Sequence, residues 1–123
     1  MKPFLILASV YGLLAVILGA FGAHALKERL TPEQLLSWDT GVRYQMFHAL
    51  ALILLVPLSD RGIPGLSLAA GCFAAGVLLF SGSIYLLSLG IGPRPLLGPV
   101  TPLGGLSLIV GWMVLLIQVI RSP

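Results

Sequence analysis

Hydrophobic and polar positions are distributed very unevenly along this chain. Charged side chains fall in a few short places, and residues 3–26, 62–93 and 95–120 contain none. A fourth uncharged run, 44–59, is shorter. A bilayer core of ~30 Å takes about 20 apolar helical residues to cross. Three runs satisfy that length outright and the fourth comes close. The pattern predicts four membrane-spanning helices, at about 4–25, 41–58, 66–89 and 103–120, in a single integral membrane domain covering 1–123. Between the first two spans, Thr31-Pro32-Glu33-Gln34 reads as a helix start. Thr31 is the N-cap, Pro32 takes the first helical position and Gln34 closes a capping box. Leu35, Leu36 and Trp38 then give one apolar side, which predicts a short interfacial helix with Trp38 at headgroup depth. The expected fold is all-α: a four-helix transmembrane bundle with a short interfacial helix between spans one and two.

The short run carries its own consequence. Residues 44–59 extend only about 24 Å as a helix. To cross, the second span must begin earlier, which brings Arg43 to the membrane edge. Asp39 lies four residues before Arg43 and can pair with it along one helix face. Residues 90–102 hold Gly90, Gly92, Pro93, Pro95, Gly98, Pro99 and Pro102, a composition that predicts a rigid loop. The first run resembles a signal peptide at Met1-Lys2 and at Ala23-His24-Ala25. Signal cores run only about 7–15 residues, however, so an uncleaved first helix is expected.

Composition agrees: 58% of residues are hydrophobic and 9% charged, which a soluble globule would not carry. The net charge of +3 is too small and too scattered for a nucleic-acid footprint. A lone cysteine, Cys72, forms no internal disulfide and completes no Cys-rich metal motif. No metal and no cofactor is expected.

Small residues mark close helix approaches, because packing drives helix association in lipid. Ala15, Gly19 and Ala23 recur every four residues. The packing candidates are Gly19, Gly22, Ala23, Gly82, Gly104 and Gly105.

Alternating spans bring the loops 27–43 and 90–102 to one side. His24 then sits near that interface, and His48 lies about 7 Å deeper than Arg43. Ser81, Ser83 and Tyr85 fall in the same leaflet, so the polar groups of the interior gather in one half of the bilayer. Tyr44, Gln45 and His48 share one helix face, and Ser81, Tyr85 and Ser88 share another. The candidate cluster is His24, Arg43, Tyr44, Gln45, His48, Ser81, Ser83 and Tyr85. His48 should face the bundle interior, within reach of Ser81, Ser83, Tyr85 or His24.

Three readings of the cluster stand. It is interhelical hydrogen-bond glue, or a polar pocket open to the loop side, or an intramembrane enzyme or haem site using His24 and His48. The third is poorly supplied. There is no deep Asp or Glu and no second Cys. His24 is shallower than His48, against the matched depth that a bis-histidine haem requires. Ser81 or Ser83 with His48 makes a dyad lacking its third member.

Four motifs, Gly19-Ala20-Phe21-Gly22-Ala23-His24-Ala25-Leu26, Tyr44-Gln45-Met46-Phe47-His48-Ala49-Leu50, Phe80-Ser81-Gly82-Ser83-Ile84-Tyr85 and Thr101-Pro102-Leu103-Gly104-Gly105, occur in order. Together they resemble the YgdD-like family of small membrane proteins, also catalogued as transmembrane protein 256-like, a domain of unknown function. The resemblance covers nearly the whole chain. It implies four membrane helices and, for a bacterial member, the inner membrane. It implies no established activity, substrate or cofactor.

The expected role is non-enzymatic: binding or passage of a small ligand, lipid or ion at a polar pocket in one leaflet. A structural or accessory subunit is the alternative. The expected partners are the lipid bilayer and an unidentified small ligand, with room for a homo-oligomer. Basic residues do not settle orientation, since Lys2, Arg61 and Arg121 face Lys27, Arg29 and Arg94 with Arg43 at the boundary. The termini are placed in the cytoplasm.

Overall fold

The computed structural model describes all residues from Met1 to Pro123. Four helices follow one another without a strand: α1 (Lys2–Ala23), α2 (Pro32–Asp60), α3 (Leu66–Leu89) and α4 (Arg94–Arg121). All four are long and apolar enough to cross a membrane. Only 24 of 123 residues are buried, so most Leu, Ile and Val side chains point outward. That is the expected state of helices whose solvent is lipid, where outward apolar side chains cost nothing.

Two elements depart from expectation. The interfacial helix is not a separate element. Its residues form the first turns of α2, which runs unbroken for 29 residues, or ~44 Å. The start is the expected one: the Gln34 N–H donates to Thr31 Oγ1 at 3.1 Å and the Thr31 N–H donates to Gln34 Oε1 at 2.9 Å. The helix continues past Pro57, which removes one donor near the far end, and Arg43 Nε donates to Asp39 Oδ2 at 2.9 Å along it. The rigid loop expected at 90–102 is mostly helix, because α4 begins at Arg94. Pro95 falls in the first turn, where a missing N–H is harmless. Pro99 and Pro102 lie inside α4, and each removes one donor from its ladder. The turn itself is made by Gly90 and Gly92, with φ of +70° and +83°. Gly90 ends α3 in the left-handed conformation, and the Ile91 N–H caps the Leu86 carbonyl at 2.9 Å.

The helices pack as a chain of neighbours: α1 on α2, α2 on α3 and, most extensively, α3 on α4. The α3–α4 seam shows why glycine is needed there. Phe80 and the backbone beside it cover Gly104, Leu108 fills the hollow over Gly76, and Phe73 lies against Gly111. A Cβ on Gly111 would stand 2.6 Å from the Phe73 ring. Of the other packing candidates, Gly19 faces Val42 and Gly22 faces the Trp38 indole. Gly105 meets the Phe80 ring more loosely. Ala23 is exposed, and Gly82 has nothing within 4 Å of its would-be Cβ. Both lie off the helix contacts, because the small-residue stripes continue past the faces that touch.

Candidate functional site

Two polar regions lie toward the end of the bundle that carries the α1–α2 and α3–α4 connections. The first is a buried network. Gln45 is its hub, 4% exposed on α2. Its Nε2 donates to the Tyr11 carbonyl of α1 at 2.8 Å, and its Oε1 accepts from the Tyr85 hydroxyl of α3 at 2.7 Å. One side chain therefore ties three helices. The Tyr85 ring packs on Trp38 with centroids 4.7 Å apart, and Trp38 Nε1 donates to the Leu18 carbonyl at 2.8 Å. Ser81 donates to the Gly41 carbonyl at 2.7 Å, joining α3 to α2 where the glycine lets them approach. The Tyr11 hydroxyl crosses to the Ala74 carbonyl at 2.7 Å.

His48 belongs to a neighbouring aromatic group. It is 5% exposed, as its interior expectation requires, but its partners are not the expected ones. Trp112 Nε1, which can only donate, lies 3.0 Å from His48 Nε2. Nε2 therefore accepts, and Nδ1 carries the proton it gives to the Tyr44 carbonyl at 2.8 Å. Phe73 and Trp112 meet the imidazole edge-on, and Tyr44 stacks over it and on Phe80. Ser81 and Tyr85 are committed elsewhere, while Ser83 bonds Thr101 and the Phe80 carbonyl.

His24 does not join the cluster. It is exposed at the end of α1, beside Ile17, Ala20 and Phe21. The chain leaves the helix there, so the last side chain turns outward. Arg43 is also outside, exposed and paired with Asp39. With both nitrogens of His48 engaged and His24 apart, the two histidines do not form one site. Sequence reasoning missed Trp112, Tyr11 and Trp38 as network members. Trp38 was expected at the headgroups, and the direction of the Tyr11 and Trp112 rings is set only by the facing helices. No buried side-chain nitrogen or oxygen lacks a partner. The polar groups here bond across helices at Gln45, Ser81 and His48 Nε2, and within α2 at His48 Nδ1.

The second region is an open groove of about 670 Å³ between the first turns of α2, the end of α3 and the start of α4. Glu33, Ser37 and Thr40 form one wall, Arg94, Gly98 and Thr101 the opposite one, and Ile84, Leu87 and Ser88 the floor. Neither Glu33 nor Arg94 is in an ion pair; the chain's one pair is Arg43 with Asp39. Ser88, 7% exposed, lies on the floor. Only Ser88 of these residues figured in the sequence reading of the interior, because the α4 wall was expected to be loop.

The sequence profile of the family described as "Protein of unknown function (DUF423)" matches residues 18–105. That stretch contains the whole groove and the network residues from Leu18 to Tyr85, with Tyr11 and Trp112 outside it. The "UPF0382 membrane protein YwdK" of Bacillus subtilis is 42% identical, over 98% of each chain. The "UPF0382 membrane protein C1782.12c" of Schizosaccharomyces pombe is 43% identical, over 89% of this chain and 95% of its own. The "UPF0382 inner membrane protein YgdD" of Escherichia coli is 40% identical, over 95% of this chain and 88% of its own. No solved structure matches the chain.

Proposed function

We propose a role for a chain that belongs to the DUF423 family of multi-pass inner-membrane proteins: it binds the polar head of a membrane amphiphile in the α2–α3–α4 groove. The buried network holds the three walls in place and does no chemistry of its own. The observation that carries this reading is the contrast between the two polar regions. Every buried polar atom of the network is satisfied inside the chain. The groove, in contrast, is lined by an exposed carboxylate and an exposed guanidinium that belong to no ion pair, with Ser88 on its floor. Charged side chains that face one groove are free to meet a ligand of complementary charge there. An amphiphile suits the place, since the floor is apolar at Ile84 and Leu87 and the walls are polar.

The test is retention of lipid by the purified protein in native mass spectrometry. Gly98 lines the groove, and a Cβ there meets nothing within 4 Å, so Gly98→Trp places a large ring at the groove wall. Wild-type protein should carry bound lipid that Gly98→Trp loses while keeping its helical circular dichroism. Equal retention by the two proteins would put the lipid elsewhere and refute the site.

A structural role for the same chain rests on a different observation. The outward faces of α1 and α4 leave many large apolar side chains exposed, among them Leu13, Val16, Leu106 and Met113. A chain that only scaffolds a larger assembly would lose that assembly, and no lipid, on substitution along those faces.

A further inference from the structure

The groove's chemistry narrows its occupant, on the premise that it binds an amphiphile at all. Its charged residues have opposite sign and stand on opposite walls, Glu33 at the start of α2 and Arg94 at the start of α4. They form no ion pair with each other or with any other side chain. The floor between the walls includes Ser88, 7% exposed. A ligand that completes this site carries both charges, separated by the width of the groove.

We propose that the groove binds a zwitterionic phospholipid headgroup of the phosphoethanolamine type, with its phosphate on Arg94 and its ammonium on Glu33. Arginine presents a planar fork of donors suited to phosphate oxygens. A primary ammonium has three N–H donors, which Glu33 and the hydroxyls of Ser37 and Ser88 can accept. A choline headgroup fits less well. Its quaternary nitrogen donates no hydrogen bond and is held by aromatic faces, and no aromatic residue lines the groove. An anionic headgroup without the ammonium would leave Glu33 unpaired beside a second negative charge. That penalty discriminates against it as effectively as the favourable contacts select the zwitterion. Ile84 and Leu87 give the floor an apolar surface for the carbons next to the headgroup.

The experiment is native mass spectrometry of the full chain in detergent, titrated with phosphatidylethanolamine, phosphatidylcholine and phosphatidylglycerol of identical acyl chains. Wild-type protein should retain phosphatidylethanolamine about tenfold better than the other two, the worth of one charge-assisted contact. Glu33→Gln should erase the preference over phosphatidylglycerol, and Arg94→Gln should weaken both lipids alike. Both side chains are exposed, so neither variant should lose its helical circular dichroism. Equal retention of the three lipids, unchanged by Glu33→Gln but abolished by Gly98→Trp, overturns the zwitterion and leaves amphiphile binding standing. Lipid retention insensitive to Gly98→Trp overturns both. Glycerophosphoethanolamine binding as tightly as the intact lipid would identify a soluble ligand and overturn the lipid assignment.

Discussion

Gln45 is the most informative side chain to perturb, because it joins three helices through two short hydrogen bonds. Gln45→Leu keeps the bulk and removes both. The Tyr11 carbonyl keeps its place in the α1 ladder, so its loss is small. The Tyr85 hydroxyl loses its acceptor, and a stranded polar group of this kind costs ~1–3 kcal/mol. Tyr85→Phe removes the same bond from the other side and strands the Gln45 carbonyl oxygen. The double variant removes both members and relieves the penalty in part. Polar pairs between membrane helices couple by about 0.6 kcal/mol, and up to ~1.7 in the strongest cases. The pair here is only 2.7 Å long and largely screened from lipid, which favours the upper part of that range. The assay is a double-mutant cycle by reversible unfolding in mixed micelles with a rising fraction of denaturing detergent, followed by far-UV circular dichroism. A coupling within the ~0.3–0.5 kcal/mol by which independent sites add would refute the hub.

Other substitutions test the packing directly. Gly104→Leu should abolish the purified, monodisperse protein, because a side chain there meets the Phe80 backbone; recovery at wild-type yield would contradict the seam. Gly82→Ala should be neutral or slightly stabilising, by up to ~1 kcal/mol, since that position is open and alanine favours helix; a marked fall in thermal stability would count against it. Gly19→Leu must push on Val42, 3.3 Å from the would-be Cβ, and should cost ~1–3 kcal/mol; an unchanged melting temperature would show that α1 and α2 do not pack there. Trp112→Phe should keep the ring packing but strand His48 Nε2, with a loss of ~1–3 kcal/mol that His48→Phe in the same background largely removes; additive losses would dissolve the pair.

The spacing of charge along the chain was enough to establish membrane residence and four helices, because the bilayer imposes one length and one polarity on anything that crosses it. The capping box at Thr31 and the Asp39–Arg43 pair were legible too, since both depend on spacing within a single helix. Helix continuity was less legible. The first turns of α2 looked like a separate interfacial piece, and the prolines of α4 looked like loop. A polar or proline-rich stretch next to an apolar run can continue a helix, and only cooperative hydrogen bonding decides whether it does.

The partners within the polar half were decided by tertiary structure alone. The sequence placed Gln45, His48, Ser81 and Tyr85 in one leaflet, which is a statement about depth. Rotation about each helix axis then chose between them, pairing Gln45 with Tyr85 and giving His48 to Trp112. The same rotation sent Arg43 outward, while His24 lies just past the end of α1. The groove is the clearest case. Its walls come from residues some sixty positions apart in the sequence, Glu33 and Arg94, and no period or motif links them. Depth is written along the chain, because each residue advances a helix by a fixed rise. Azimuth is set by which faces pack, and that depends on all the helices at once.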